Sequence, residues 1–184
     1  MFKTNIVDIF PTKILISENL ELAEKLLPLC NKYTEITETT LLDIPNYPST
    51  LRNEKLNKQI NSEPIVIEAF EYIEKLIGEY TQKSFVSWEA SAHGNENYGF
   101  FSSMNKGAFL RKHKHLHCTY SGLMYLEVGE NVPSLIMHNP NPFDYGTIKI
   151  EAIKGRVLMW PCWLEHELEM KMNDNPRKVF SFNV

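Results

Sequence analysis

The sequence predicts an α+β domain spanning 1–184, helical over 1–84 and built from short strands of jelly-roll type over 85–184. Two observations carry this reading. Behind the start signals Ser62 and Pro64, the apolar residues Ile65, Ala69, Phe70, Ile73, Leu76, Ile77 and Tyr80 recur at helical spacing. From Phe85 onward the pattern changes to short alternating or β-branched runs separated by Gly, Pro, Asn and Asp, and it stays so to the C-terminus. A third observation narrows the class: no Gly-rich phosphate loop precedes a helix, which disfavours a nucleotide-binding fold.

Taken in order, the chain starts with a strand-like piece ending at Phe10-Pro11-Thr12. Ser17 is then placed to cap a helix carrying Leu20, Leu22, Ala23, Leu26 and Leu27, with Pro28 near its end. Residues 35–62 are polar and contain Pro45 and Pro48, the composition of an irregular connection or cover. The helix after Ser62 should pack on a sheet. Strands are predicted over 86–92, 98–104, 108–117, 120–128, 134–138, 147–153, 156–160, 165–170 and 178–184.

Bulk properties exclude several function classes. A chain of 184 residues with 43% hydrophobic and 23% charged residues can bury a self-sufficient core. Nineteen basic against 23 acidic residues give a net charge of −4, without the excess a phosphate-backbone binder needs, so nucleic acid is not the expected partner. Lys106, Arg111, Lys112 and Lys114 form a local basic run that could steer an anionic substrate, or simply face solvent. Cys30, Cys118 and Cys162 lack any C-x-x-C spacing, which predicts free thiols in a reducing, cytoplasmic compartment. No secretory h-region and no membrane-length apolar run is present. A homodimer is one admissible assembly.

Chemistry concentrates at the histidines. In the run 109–117, a strand would put Arg111, His113, His115 and His117 on one face. Residues i and i+2 then lie about 7 Å apart, close enough for two imidazoles to converge on one ion. Further on, Glu165, Glu167 and Glu169 alternate with His166, Leu168 and Met170, so the glutamates should face solvent and His166 the interior. Three imidazoles with open coordination positions are what a catalytic metal needs, and the ligand types alone admit Fe, Zn, Cu, Ni or Co. His113, His115 and His166 are thus the candidate ligands, with His115 and His117 as the alternative pair.

Two resemblances follow from these residues. Gly107, His113-Lys114-His115, Gly155, Pro161 and His166 have the spacing of the two cupin motifs, but Thr119 or Tyr120 stands where a cupin has its glutamate, and Trp163 where it has a glycine. Over the whole chain, Phe10-Pro11-Thr12, Asn105-Lys106-Gly107, His113-Lys114-His115, Ser121-Gly122 with Tyr125, Trp160-Pro161 with Trp163 and His166, and Arg177 with Phe182-Asn183 resemble a 2-oxoglutarate/Fe(II) oxygenase family of bacteria and marine phages, within the double-stranded β-helix, or cupin-like, superfamily.

That resemblance implies a double-stranded β-helix fold, Fe(II) and 2-oxoglutarate as cofactors, and hydroxylation of a small molecule or a protein side chain. It makes Arg177, eleven residues after His166, the anchor of the cosubstrate's distal carboxylate, with Tyr125 assisting; Arg111, on the same predicted face as His113, is the next candidate. The sequence departs from the family at two positions: His115 replaces the usual carboxylate ligand, and Val179 a serine. The alternative functions are a cupin-like dioxygenase or isomerase working without 2-oxoglutarate, and a non-catalytic β-helix binding module.

Overall fold

The computed structural model describes residues 12–81, 98–115, 118–141, 143 and 145–184. The strand predicted over 86–92 lies outside them, as do Phe10, Pro11 and His117. Among the described residues the elements are β1 (Leu15–Glu18), α1 (Leu20–Ile36), a 3-10 turn (Leu41–Asp43), α2 (Glu54–Asn61), α3 (Pro64–Thr81), β2 (Tyr98–Ser103), β3 (Leu110–His113), β4 (Tyr120–Val128), β5 (Leu135–His138), β6 (Thr147–Ile150), β7 (Arg156–Pro161), β8 (His166–Leu168) and β9 (Arg177–Asn183). No helix among them is long and apolar enough to cross a membrane.

The strands form two antiparallel sheets, one of five strands in the order β1-β7-β4-β9-β2 and one of four in the order β3-β8-β5-β6. The five-stranded sheet is buried on both faces, so its strands read as continuous apolar runs. One set of alternating residues, including Phe101, Met124, Val157, Met159 and Phe180, packs against Leu22, Leu26 and Ile73 of the helices. The opposite set, including Phe100, Leu123, Tyr125, Leu158, Trp160 and Val179, packs against Leu110, Leu135, Met137 and Leu168 of the smaller sheet. The site described below is built into this second core.

The N-terminal part differs from expectation in three places. Ser17 does not cap a helix: it lies in β1, which pairs with the edge of β7, and its hydroxyl bonds that of Tyr72 at 2.8 Å. The cap is Asn19, whose Oδ1 accepts the Leu22 N–H at 3.0 Å. Pro28 does not end α1, because it sits on the exposed side, where the carbonyl it leaves unbonded can be hydrated, while the buried stripe continues through Cys30 and Tyr33. Residues 35–62 contain α2, capped by Asn53 Oδ1 on the Leu56 N–H at 3.0 Å. α2 escapes periodicity because only Ile60 is fully buried. The stretch before it is fastened to β2: Ser103 donates to the Pro48 carbonyl at 3.0 Å and Thr50 to the Phe101 carbonyl at 3.0 Å.

Gly122 in β4 illustrates how tightly this sheet is filled. A Cβ there would overlap the Phe182 ring and come within 2.6 Å of the Leu158 carbonyl oxygen, a backbone atom that cannot turn aside. Gly122→Ala is therefore expected to cost on the order of 1–3 kcal/mol, read as a lower denaturation midpoint with unchanged m-value.

Candidate metal and cosubstrate site

His113 ends β3 and His166 begins β8, and the two are direct cross-strand partners. His115 lies two residues beyond β3, held by its backbone N–H, which donates to the Cys162 carbonyl at 2.9 Å. One ligand atom from each of the three rings lies within 4.8 Å of the others, an arrangement that could hold a metal ion. The ring centroids are 4.3 Å apart for His113 and His166, and 5.3 Å for each of the other two pairs.

The surroundings prepare these rings as ligands. His113 Nδ1 lies 2.9 Å from the Arg111 carbonyl, and His166 Nδ1 lies 2.9 Å from the Leu164 carbonyl. A carbonyl can only accept, so each Nδ1 carries the proton and leaves its Nε2 lone pair free. Burial, and secondarily the neighbouring His113, lowers His166 to about 3 and His115 to about 4; burial also lowers His113. All three rings are thus neutral near pH 7, the state in which imidazole binds metal.

Strict alternation does not hold along β3. A register shift between Leu110 and His113 turns both residues inward and leaves Arg111 and Lys112 exposed. Arg111 therefore does not share the pocket face with His113, and its guanidinium lies over the Phe109 ring instead. The glutamates follow the predicted alternation: Glu165 pairs with Lys112 at 3.2 Å, Glu167 with His138 at 3.2 Å and Glu169 with Lys149 at 2.7 Å, none of them with His113, His115 or His166. Leu168 is buried, but Met170, past the end of β8, is half exposed.

The histidines line a cavity of about 360 Å³ between the sheets, and Arg177 lies at its other end. Arg177 opens β9 and is 1% exposed, yet no acidic side chain pairs with it among the described residues. Its Nε donates to the Pro133 carbonyl at 3.2 Å, its guanidinium lies 5.2 Å from the Tyr125 ring centre, and its Nη2 has no partner. The buried Tyr125 hydroxyl also lacks a partner. A third residue joins them. Tyr47, from the polar 35–62 segment, is 2% exposed and has the Arg177 guanidinium beside its hydroxyl; burial raises its pKa, an effect the guanidinium opposes. Nothing in the local sequence marks Tyr47, since its segment has no periodicity.

No protein-family model matches the chain, and no curated protein matches it in sequence. Solved structures do resemble it. A prolyl-4-hydroxylase from Pseudomonas putida shares 14% identity with a TM-score of 0.66, over 94% of this chain and 92% of that one. HygX from Streptomyces hygroscopicus, determined with nickel and 2-oxoglutarate bound, shares 12% identity with a TM-score of 0.60, over 94% and 83%. A prolyl hydroxylase from Trichoplax adhaerens, in complex with a hypoxia inducible factor peptide fragment, shares 14% identity with a TM-score of 0.61, over 92% and 82%. The chain has the α+β fold of these oxygenases.

Proposed function

We propose that this protein is an Fe(II)/2-oxoglutarate-dependent oxygenase that hydroxylates its substrate, with His113, His115 and His166 holding the metal and Arg177 and Tyr125 the cosubstrate. The observation that carries the reading is the cavity's polarity: three neutral imidazoles at one end, and at the other a buried guanidinium with an unpartnered N–H beside an unpartnered phenol. A buried cation without a counter-charge is costly unless a ligand supplies one, and a dicarboxylate reaching from the metal would do so. We also read the chain as one cytoplasmic domain and its two sheets as the faces of a double-stranded β-helix. The three cysteines are free thiols, in keeping with that compartment.

When bound, Fe(II) and 2-oxoglutarate would supply the oxidising chemistry, in which dioxygen gives one atom to the keto acid, released as succinate and carbon dioxide, and the other to a substrate C–H bond. The chain contributes placement and charge. The Arg177 fork meets a carboxylate through two parallel N–H donors, and Tyr125 and Tyr47 offer hydroxyls at the same end. The apolar middle of the cavity, Leu123, Leu135 and Val179, keeps water away from both ends. With His115 in place of a carboxylate, the protein leaves the metal its full positive charge, which favours a dianionic cosubstrate. The same substitution supports the second reading, a cupin-like dioxygenase or isomerase that uses the three histidines without 2-oxoglutarate.

Anaerobic protein loaded with Fe(II) should develop a visible charge-transfer band on titration with 2-oxoglutarate, and on admission of air should release succinate. Metal binding without the band, and without heat on calorimetric titration, would overturn the leading reading in favour of the second.

A further inference from the structure

Arg177 and Asn183 stand at opposite ends of β9, about 20 Å apart at ~3.3 Å per residue. The Asn183 end, beside the histidines, carries polar groups that neither metal nor cosubstrate accounts for. Cross-strand register puts Trp160 of β7 opposite Ser121 of β4, Ser121 opposite Asn183 of β9, and Asn183 opposite Tyr98 of β2. These four side chains form one row across the five-stranded sheet, and all four line the cavity. The Trp160 ring packs edge-on against His166, with centroids 4.9 Å apart, so the row begins at the candidate metal ligands.

The direction of the hydrogen bonds in this row is what identifies a ligand. Ser121 donates to Asn183 Oδ1 at 2.9 Å, and the Cys118 thiol donates to the same oxygen at 3.7 Å. Asn183 Nδ2 in turn donates to the Tyr98 hydroxyl oxygen at 3.0 Å. The amide oxygen is thereby used twice, and the phenol has accepted. Among the described residues three donors remain uncommitted, the Tyr98 O–H, the second Asn183 N–H and the Trp160 Nε1–H, which is buried without an acceptor, while the acceptor capacity left in the row is confined to hydroxyl lone pairs of Ser121 and Tyr98. Among the described residues no Asp or Glu lines the cavity, and besides Arg177 and the histidines their titratable side chains in it are Tyr47, Tyr98 and Lys114. Lys114 is exposed and makes no ion pair among the described residues.

We infer that the row Tyr98, Asn183, Ser121 and Trp160 is the substrate-recognition strip of this cavity, and that it takes a substrate bearing a carboxylate. A carboxylate only accepts hydrogen bonds and so matches a row that offers three uncommitted donors, whereas an ammonium would find only leftover hydroxyl lone pairs of Ser121 and Tyr98, with Lys114 and Arg177 as cations lining the same cavity. The Ser121–Asn183 bond is the positioning element: it fixes the amide so that its N–H side, not its oxygen, faces Tyr98. Lys114 at the rim supplies attraction for the anion as it enters.

This inference rests on the oxygenase reading, and the test separates the two. Protein loaded with Zn(II) and 2-oxoglutarate, which cannot turn over, is titrated with hexanoate, hexanamide and hexylamine, three probes sharing one alkyl length, by ligand-observed NMR. Hexanoate should bind best, hexanamide more weakly and hexylamine not at all. Tyr98→Phe, which keeps the ring and removes the terminal donor, should weaken hexanoate about tenfold or more while leaving zinc and 2-oxoglutarate affinity unchanged. Lys114→Gln should weaken hexanoate and spare hexanamide.

Equal binding of the three probes, no binding of hexanoate, or no effect of Tyr98→Phe on it would overturn the inference. So would a loss of 2-oxoglutarate affinity in Tyr98→Phe, because the strip would then serve the cosubstrate. If wild-type protein holds zinc but not 2-oxoglutarate, the oxygenase reading falls, and the probe series on the zinc form still decides the strip.

Discussion

Arg177→Ala is expected to weaken 2-oxoglutarate binding by about a hundredfold or more while leaving metal content at the wild-type level. Breaking a buried charge pair by removing one partner costs roughly 3–5 kcal/mol, and about 1.4 kcal/mol corresponds to a factor of ten. Arg177→Lys should recover only part of the loss, because an ammonium keeps the charge without the two parallel donors. Calorimetric titration of the metal-loaded variants measures both effects. Cosubstrate affinity equal to wild type in Arg177→Ala would remove Arg177 from the site.

Stability should move differently. Among the described residues Arg177 is a buried cation with the Pro133 carbonyl and its tyrosine neighbours around it and no carboxylate beside it. Replacing such a charge with an apolar side chain of similar volume is often neutral or stabilising. Arg177→Met should therefore melt at or above the wild-type temperature without ligand, yet gain nothing from added 2-oxoglutarate. A residue kept for packing would show the reverse pattern.

The parts of this architecture that the sequence discloses are those in which a single face decides. β4, β7 and β9 run close to their predicted limits because each is a compact apolar stretch cut off by turn residues. His166 is legible for a similar reason: glutamates on both sides can only face water, so the histidine between them cannot. The convergence of His113 with His115 is also legible, but not for the reason alternation suggests. The bulge at 110–113 and the His115 N–H bond to Cys162 place the rings, and both depend on the partner chain segments.

Other parts depend on contacts distant in sequence. Tyr47 meets Arg177 although their segments share no pattern, and the 48–50 stretch is ordered by bonds to β2. α2 has one deeply buried residue, too few for periodicity to reveal a helix. Ser17 and Asn19 are comparably good caps, and the choice between them falls to the free edge of β7, which takes up residues 15–18. The hydrogen-bond direction along Ser121, Asn183 and Tyr98 is likewise a property of sheet register, invisible until the strands are paired.

His166→Ala should abolish stable metal binding, and the size of the effect follows from what the site lacks. With three candidate ligands among the described residues and no carboxylate in that set, removing one would leave two neutral imidazoles, one of them on a segment outside regular structure. Loss of a group that merely hydrogen-bonds a metal ligand typically costs about 10–100-fold in metal affinity, so loss of a ligand should exceed about a hundredfold. Elemental analysis after dialysis should then find no metal in His166→Ala, and the melting temperature of that variant should not respond to added Zn(II) or Fe(II), although wild type rises by ligand linkage. Without metal the variant should remain folded, since the side chain removed is a neutral ring bonded to the nearby Leu164 carbonyl and packed on Trp160. His115→Asp is the informative companion. A carboxylate there would lower the net charge of the site by one while keeping three ligands, so metal should be retained and 2-oxoglutarate affinity should fall. Metal lost from His115→Asp but retained in His166→Ala would mean that the ion is held by a different set of residues.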